Sequence, residues 1–277
     1  MKPSFLSNFK KRLGLIKRGV FGLIQNNLEK TKVDSDVSFV IGHSVRRKEI
    51  ECYKIGQGKY KILFVSGTHG NEVGTIKLAL KLFVWLKENI DRYKDFTFFV
   101  LPCLNPDGYE LACRDPDYWH GGMIGRYNAN NVDLNRNFET PTFRSTAFWA
   151  HGKGYREKSE VFSGEKPFSE PETQALANLL KKEEIKMVFA FHNAGKDVIG
   201  DATSQNLAKK FSVASGYKFE SDKEWQKVSR TGTFKEWCEI NNIAFLETEG
   251  SSRWGSDWEY HKKGISVVLE SLSSSIG

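Results

Sequence analysis

Apolar residues in this chain come in short runs separated by amphipathic stretches, and the alternation begins at about residue 37. Residues 37–41 and 50–55 read as two opening strands joined through the basic turn Arg46-Arg47-Lys48. The run 61–66, closed by Gly67, predicts a buried strand leaving a sheet. Val73, Ile76, Leu80, Phe83 and Val84 then recur at helical spacing, which predicts a helix over 72–89. A strand at 96–101 follows. From Asn105 to about Lys166 the chain is only weakly periodic and rich in Gly, Asn, Tyr and Trp. Long irregular segments of this kind are usually functional. Ser169-Glu170-Pro171-Glu172 has the form of a capping box, with Ser169 as N-cap of a helix running through Lys182. It feeds an apolar strand at 187–192. A helix over 204–215, a short strand at Lys218-Phe219 and a helix capped by Thr233-x-x-Glu236 come next. Residues 243–249 and 265–269 are the last two strand candidates, with the aromatic stretch 254–260 between them. This order predicts an α/β domain: a mixed, mostly parallel sheet with helices on both faces.

Two polar side chains stand where that pattern turns a corner. His69 follows the strand at 61–66, and Glu72 opens the helix after it. An imidazole nitrogen and a carboxylate three residues apart at such a corner suit Zn²⁺, which takes three protein ligands and a water in catalytic sites. The best third ligand is His192, which ends the apolar run 187–192. Two strands of one parallel sheet would bring His69 and His192 to the same edge, where ligands of open α/β sheets gather. His43, His120, His151 and His261 lie in less suggestive surroundings.

Composition narrows the reading. With 277 residues, 20 Phe and 7 Trp, the chain has the material for one large core. Cys52, Cys103, Cys113 and Cys238 show neither metal-ribbon nor disulfide-scaffold spacing. No apolar run reaches membrane-spanning length, and a reducing, cytoplasmic address is expected. The net charge of +7 belongs entirely to residues 1–32, where eight Lys and Arg face Glu29 alone. The neutral body argues against a nucleic-acid surface. In the basic segment Leu6, Phe9, Leu13, Ile16, Val20 and Leu23 form an amphipathic stripe. Docking of this stripe on the domain is expected over contact with an anionic membrane surface, the other use of such a helix. The chain is thus read as a basic segment over 1–36 and a catalytic domain over 37–277.

With those residues in place, the chain resembles the zinc carboxypeptidases, the family that includes pancreatic carboxypeptidase A. Five segments carry the likeness in order: Gly67-Thr68-His69-Gly70-Asn71-Glu72, Asn105-Pro106-Asp107-Gly108, Val132-Asp133-Leu134-Asn135-Arg136-Asn137-Phe138, Ser169-Glu170-Pro171-Glu172-Thr173 and the His192 strand. Within the family it looks most like the small bacterial murein-peptide amidases. The resemblance implies one Zn²⁺ per chain on His69, Glu72 and His192, and hydrolysis of an amide next to a free carboxylate end of a peptide. It implies that Asn135 and Arg136 hold that carboxylate and that Arg126 polarises the scissile carbonyl. Three glutamates end apolar runs and could serve as general base: Glu247, Glu249 and Glu270. Aligned to relatives through Thr231–Phe234, Trp237 and Ala244, the base falls on Glu249, with Glu247 the alternative if the register slips by two.

Two departures from the family pattern bear on the cleft. His192 is followed by Asn193-Ala194, unlike the Ser-Tyr of digestive members, and the substrate-capping tyrosine has no counterpart between Tyr217 and Arg230, where Trp225 stands. A second enzymatic reading is an aspartoacylase-like or succinylglutamate-desuccinylase-like deacylase of acylated amino acids, which shares the Gly-Thr-His-Gly-Asn-Glu corner. A third is a carboxylate-binding module without catalysis, which would lack a base or a ligand.

Overall fold

The structure, a computed structural model, describes residues 38–114, 123–151, 157–221 and 231–276. The basic segment 1–36 and the Trp225 region lie outside the described residues. Eight strands form one sheet: β1 (Ser38–His43), β2 (Glu49–Ile55), β3 (Tyr60–Val65), β4 (Phe96–Leu101), β7 (Met187–Asn193), β8 (Asp197–Gly200), β9 (Lys218–Glu220) and β10 (Ala244–Gly250), in the order β1-β2-β4-β3-β7-β10-β8-β9. The inner strands β4, β3, β7 and β10 run parallel. β2 meets β4 and β8 meets β10 antiparallel, so the sheet is mixed as expected. A separate hairpin, β5 (Thr146–His151) with β6 (Glu157–Phe162), stands apart from it.

Side chains of a strand alternate between faces, and β3 shows what this does for the core. Ile62 and Phe64 enter one apolar cluster, Leu63 and Val65 the other. The first is covered by α1 (Val73–Glu88), α4 (Gln205–Ser215) and α6 (Trp258–Ile276), the second by α3 (Pro171–Lys182) and α5 (Phe234–Ile240). A sheet apolar on both faces needs such double cover, which is why these strands read as unbroken apolar runs.

Three of the predicted stretches differ from expectation. Residues 265–269 are not a strand but part of α6. Their apolar run continues a helical row in which His261, Gly264, Ile265, Val268 and Leu269 are the buried positions. Glu270 therefore sits on the exposed side of a helix, paired to Arg92 at 3.1 Å, and is excluded as a base. Ser169 is not the N-cap of α3. Glu170 takes that position, and the Ser169 hydroxyl instead donates to the Glu170 side chain at 2.8 Å. Finally, α2 (Pro106–Arg114) fills part of the irregular stretch. Asn105 Oδ1 accepts from Gly108 N at 2.9 Å and Pro106 opens the helix, so Asn-Pro-Asp-Gly is a helix start.

Candidate active site

β3 and β7 are parallel neighbours, and their C-terminal ends deliver the two histidines to one sheet edge. The chain leaves β3 through a tight corner. Thr75 closes it, its hydroxyl donating to Glu72 O at 2.8 Å and accepting from Gly67 N at 3.2 Å. Gly70 is obligatory there, because a Cβ would come within 2.1 Å of Tyr109 N on α2. The outcome is a buried cluster in which one ligand atom each of His69, Glu72 and His192 lie within 4.8 Å of one another. Glu72 Oε1 is 2.9 Å from His69 Nδ1 and Oε2 is 3.0 Å from His192 Nδ1.

The chemistry of this donor set fits a cation. His69 Nε2 lies 3.1 Å from Asp133 Oδ1. An ionised carboxylate only accepts, so Nε2 donates to Asp133 and Nδ1 is the nitrogen turned toward Glu72. Lone pairs of Nδ1 and a carboxylate facing each other at hydrogen-bond distance repel unless a proton or a metal ion lies between them. Burial opposes the charge of Glu72, but His69 and His192 outweigh it and hold the carboxylate far below its usual range. Burial likewise disfavours a charged His192, yet Glu72 lifts it to about 9. Positive charge is wanted at this point of the fold.

Asp133 is the residue that sequence reasoning left without a role. Its Oδ2 takes two bonds from Arg126, at 3.1 Å from Nε and 2.8 Å from Nη2, while Oδ1 also accepts from Asn135 N at 3.0 Å. Burial opposes its ionisation, but Arg126 and His69 prevail and hold it well below the usual carboxylate range. One carboxylate thus orients His69, an arginine beside it (Arg126 Nη1 is 3.4 Å from His69 Nδ1) and the 3₁₀ turn Leu134–Arg136. On that turn Asn135 Oδ1 accepts from Phe234 N at 3.2 Å, leaving its amide nitrogen for other work. Arg136 is 4% exposed, and Nη1 donates to Asn135 O at 2.8 Å.

Asparagines tie this irregular segment down. Asn137 Nδ2 donates to Ser163 O and Ser169 Oγ, and its Oδ1 accepts from Glu170 N and the Thr173 hydroxyl. Asn128 Nδ2 reaches Glu170 and Glu172, and Asn105 Nδ2 reaches Arg126 O at 3.3 Å. The Asn-Pro-Asp-Gly and Ser-Glu-Pro-Glu-Thr segments are therefore anchors for the loop that carries the arginines. Their polar residues gave the signal, but the partners are 21 to 44 residues distant.

Glu249 stands on β10 directly beside His192 on β7, across a parallel rung. Burial and the charge of Glu72 push its carboxyl well above the usual range. Glu247 lies two residues earlier on the same strand face, so structure brings both remaining base candidates to the cleft.

Compared with known families, residues 27–272 match the zinc carboxypeptidase model. The chain belongs to the zinc carboxypeptidase family. As a zinc carboxypeptidase family member it is a peptide hydrolase. It is 30% identical over 199 residues to murein peptide amidase A of Escherichia coli strain K12, covering 68% of this chain and 69% of that one. The crystal structure of murein-tripeptide amidase from Escherichia coli O157 matches with a TM-score of 0.64 at 22% identity, over 86% of this chain and 93% of that one. Bovine thrombin-activatable fibrinolysis inhibitor, solved with tick carboxypeptidase inhibitor, gives a TM-score of 0.70 at 16% identity, over 92% and 96% of the two chains. These structural likenesses speak for the carboxypeptidase fold. Among the described residues no helix is long and apolar enough to cross a membrane.

Proposed function

We propose that this zinc carboxypeptidase family member holds one Zn²⁺ on His69, Glu72 and His192 and removes the terminal residue of a peptide bearing a free carboxylate, with cell-wall (murein) peptides as its substrate class. The observation that carries the exopeptidase reading is Arg136. Its guanidinium is buried, its Nε has no hydrogen-bond partner among the described residues, and the neighbouring Asn135 keeps an amide to offer. Burying unspent cationic donors is costly unless an anion arrives, and a guanidinium grips a carboxylate with two parallel bonds. The murein assignment rests on the 30% identity to murein peptide amidase A. A cytoplasmic address completes the reading, on the cysteine pattern.

When bound, the metal would lower the pKa of a water to roughly 7 and polarise the scissile carbonyl. Glu249 takes the proton released by the attacking water and returns it to the leaving amine. A carboxyl with raised proton affinity suits both tasks. Arg126, steered by Asp133 to the side of His69, faces the oxygen that gains negative charge. Removing one such donor typically costs about 3 kcal/mol of transition-state stabilisation. Arg136 and Asn135 hold the terminal carboxylate and so fix which bond lies over the metal ligands.

The test compares one peptide with its terminus free or amidated, alongside an N-acyl amino acid, using zinc-loaded enzyme. Release of the terminal residue from the free acid alone is expected. Cleavage of the acyl amino acid with both peptides untouched would move the protein to the deacylase reading.

A further inference from the structure

The mechanism needs Glu249 at a fixed distance from the metal ligands, and a buried polar network behind the sheet is placed to fix it. Neighbouring side chains of a strand leave opposite faces, so Thr248 leaves β10 on the face of Leu246, which shares an apolar cluster with Ile265 and Val268 of α6. There the Thr248 hydroxyl meets His261 Nε2 at 3.0 Å, both residues being fully buried. His261 Nδ1 lies 3.1 Å from Asp257 O. A carbonyl only accepts, so Nδ1 carries the proton and Nε2 accepts from Thr248. Burial pulls the imidazole down to about 4, which keeps it neutral. Phe191, Phe211 and Tyr217 meet the ring edge-on and set its plane.

Asp257 secures the other side of Glu249. Its Oδ2 accepts from the Tyr217 hydroxyl at 2.7 Å and from Ser251 N at 2.6 Å, and its Oδ1 from the Ser251 hydroxyl at 2.9 Å. Between them Gly250 O accepts from Gly195 N at 3.0 Å and Lys196 N at 3.3 Å. The chain is thus tied at Thr248, Gly250 and Ser251, on both sides of the base. The loop that follows crosses to the metal corner. Arg253 O accepts from Gly74 N at 2.6 Å and Trp254 O from Lys77 Nζ at 3.1 Å, both on α1, the helix that Glu72 opens. Gly74 admits this approach, since a Cβ there would lie 2.0 Å from Gly255 O. Apolar side chains could fill the same space without burying polar atoms. A satisfied network adds direction, fixing one arrangement of the strand where apolar contact would tolerate several.

We propose that His261 is a positioning residue for the reaction: through Thr248 it sets where Glu249 stands over the metal ligands, while Asp257 fixes the loop joining β10 to the Glu72 helix. The proposal rests on Glu249 being the general base. A reacting group misplaced by about 1 Å can cost on the order of 100-fold in rate.

The test uses zinc-loaded enzyme and a peptide with a free terminal carboxylate. His261→Phe keeps the ring packing and Thr248→Val keeps the threonine shape, and each removes the same hydrogen bond outside the cleft. In each, kcat should fall by about tenfold or more while KM and bound zinc keep their wild-type values. The double variant should fall no further than the worse single one, because both changes remove one bond. His261→Gln, whose amide oxygen can accept from Thr248, should recover part of the loss. Lowered melting temperatures with wild-type kcat would make the network a structural brace and overturn the proposal, as would multiplying losses in the double variant. If His261→Phe fails to fold, Thr248→Val decides, and wild-type kcat there overturns the proposal. Glu249→Gln, measured alongside, separates the two readings. Full turnover in it removes the base and this proposal together, whereas its loss beside an unaffected Thr248→Val overturns the positioning role alone. Failure of the wild type to cut the peptide would count against the carboxypeptidase reading itself.

Discussion

Two carboxylates 116 residues apart in sequence are treated in opposite ways by their surroundings. Asp133 is buried against Arg126 and His69 and stays ionised; Glu249, half-buried near Glu72, is pressed toward its protonated form. The difference sets their tasks. Glu249→Gln keeps the volume and removes the proposed proton carrier, so turnover should fall by about 10²–10⁴-fold while bound zinc, read by metal analysis, stays near one per chain. Wild-type turnover in that variant would transfer the role to Glu247. Asp133→Asn should act on the metal instead. It weakens the hold on His69 Nε2 and frees Arg126, so zinc affinity measured against a competing chelator should drop about 10–100-fold. An unchanged affinity would reduce Asp133 to a brace for the 3₁₀ turn. The meeting of His69, Glu72 and His192 was legible in the sequence because the two histidines follow apolar runs and Glu72 opens the helix behind one of them, where polar residues are conspicuous. Asp133 stands within the Val132–Phe138 motif, but its meaning lies in the back nitrogen of a histidine 64 positions earlier and cannot be read locally.

At the level of elements, apolar periodicity was a good guide wherever a strand is buried on both faces. It failed at 265–269, where five consecutive residues of mostly apolar character suit a strand as well as a helix, and only the wider spacing from His261 to Leu269 separates them. β8 escaped notice because four residues leave no period to read. The capping box was half right. Thr233 does cap α5, accepting from Glu236 N at 3.2 Å, while at α3 the Glu and Ser side chains serve the neighbouring loop instead. Glu172 illustrates the cost of that service. Its Oε1 accepts from Val45 N and its Oε2 from Asn128, yet burial outweighs these bonds and raises its carboxyl to about 7. Between pH 4.5 and about 7 the folded chain therefore keeps a proton that the unfolded chain has released, and stability from this group falls as pH rises through that window. Thermal melts of wild type and Glu172→Gln from pH 5 to 8 should show the variant gaining on the wild type as pH increases. A pH-independent gap would mean that Glu172 ionises normally in the folded protein.

Across the whole molecule, the site is assembled from two kinds of support. His69, Glu72, His192 and Glu249 stand at or just beyond the C-terminal ends of β3, β7 and β10, strands that pair with one another in the middle of the sheet. Arg126, Asn135 and Arg136 lie on a segment without regular structure beyond one 3₁₀ turn, secured by the side chains of Asn105, Asn128 and Asn137. Local openings in a protein cost least where few ladder bonds must break. Low urea should therefore loosen the arginine segment first, which would appear as a rising KM and quickening amide hydrogen exchange over 126–137, while zinc content and exchange in β7 hold until the main transition. Simultaneous change in all four would show a single cooperative unit. Under mild stress this hydrolase is expected to forget which end of a chain it reads before it forgets how to cut.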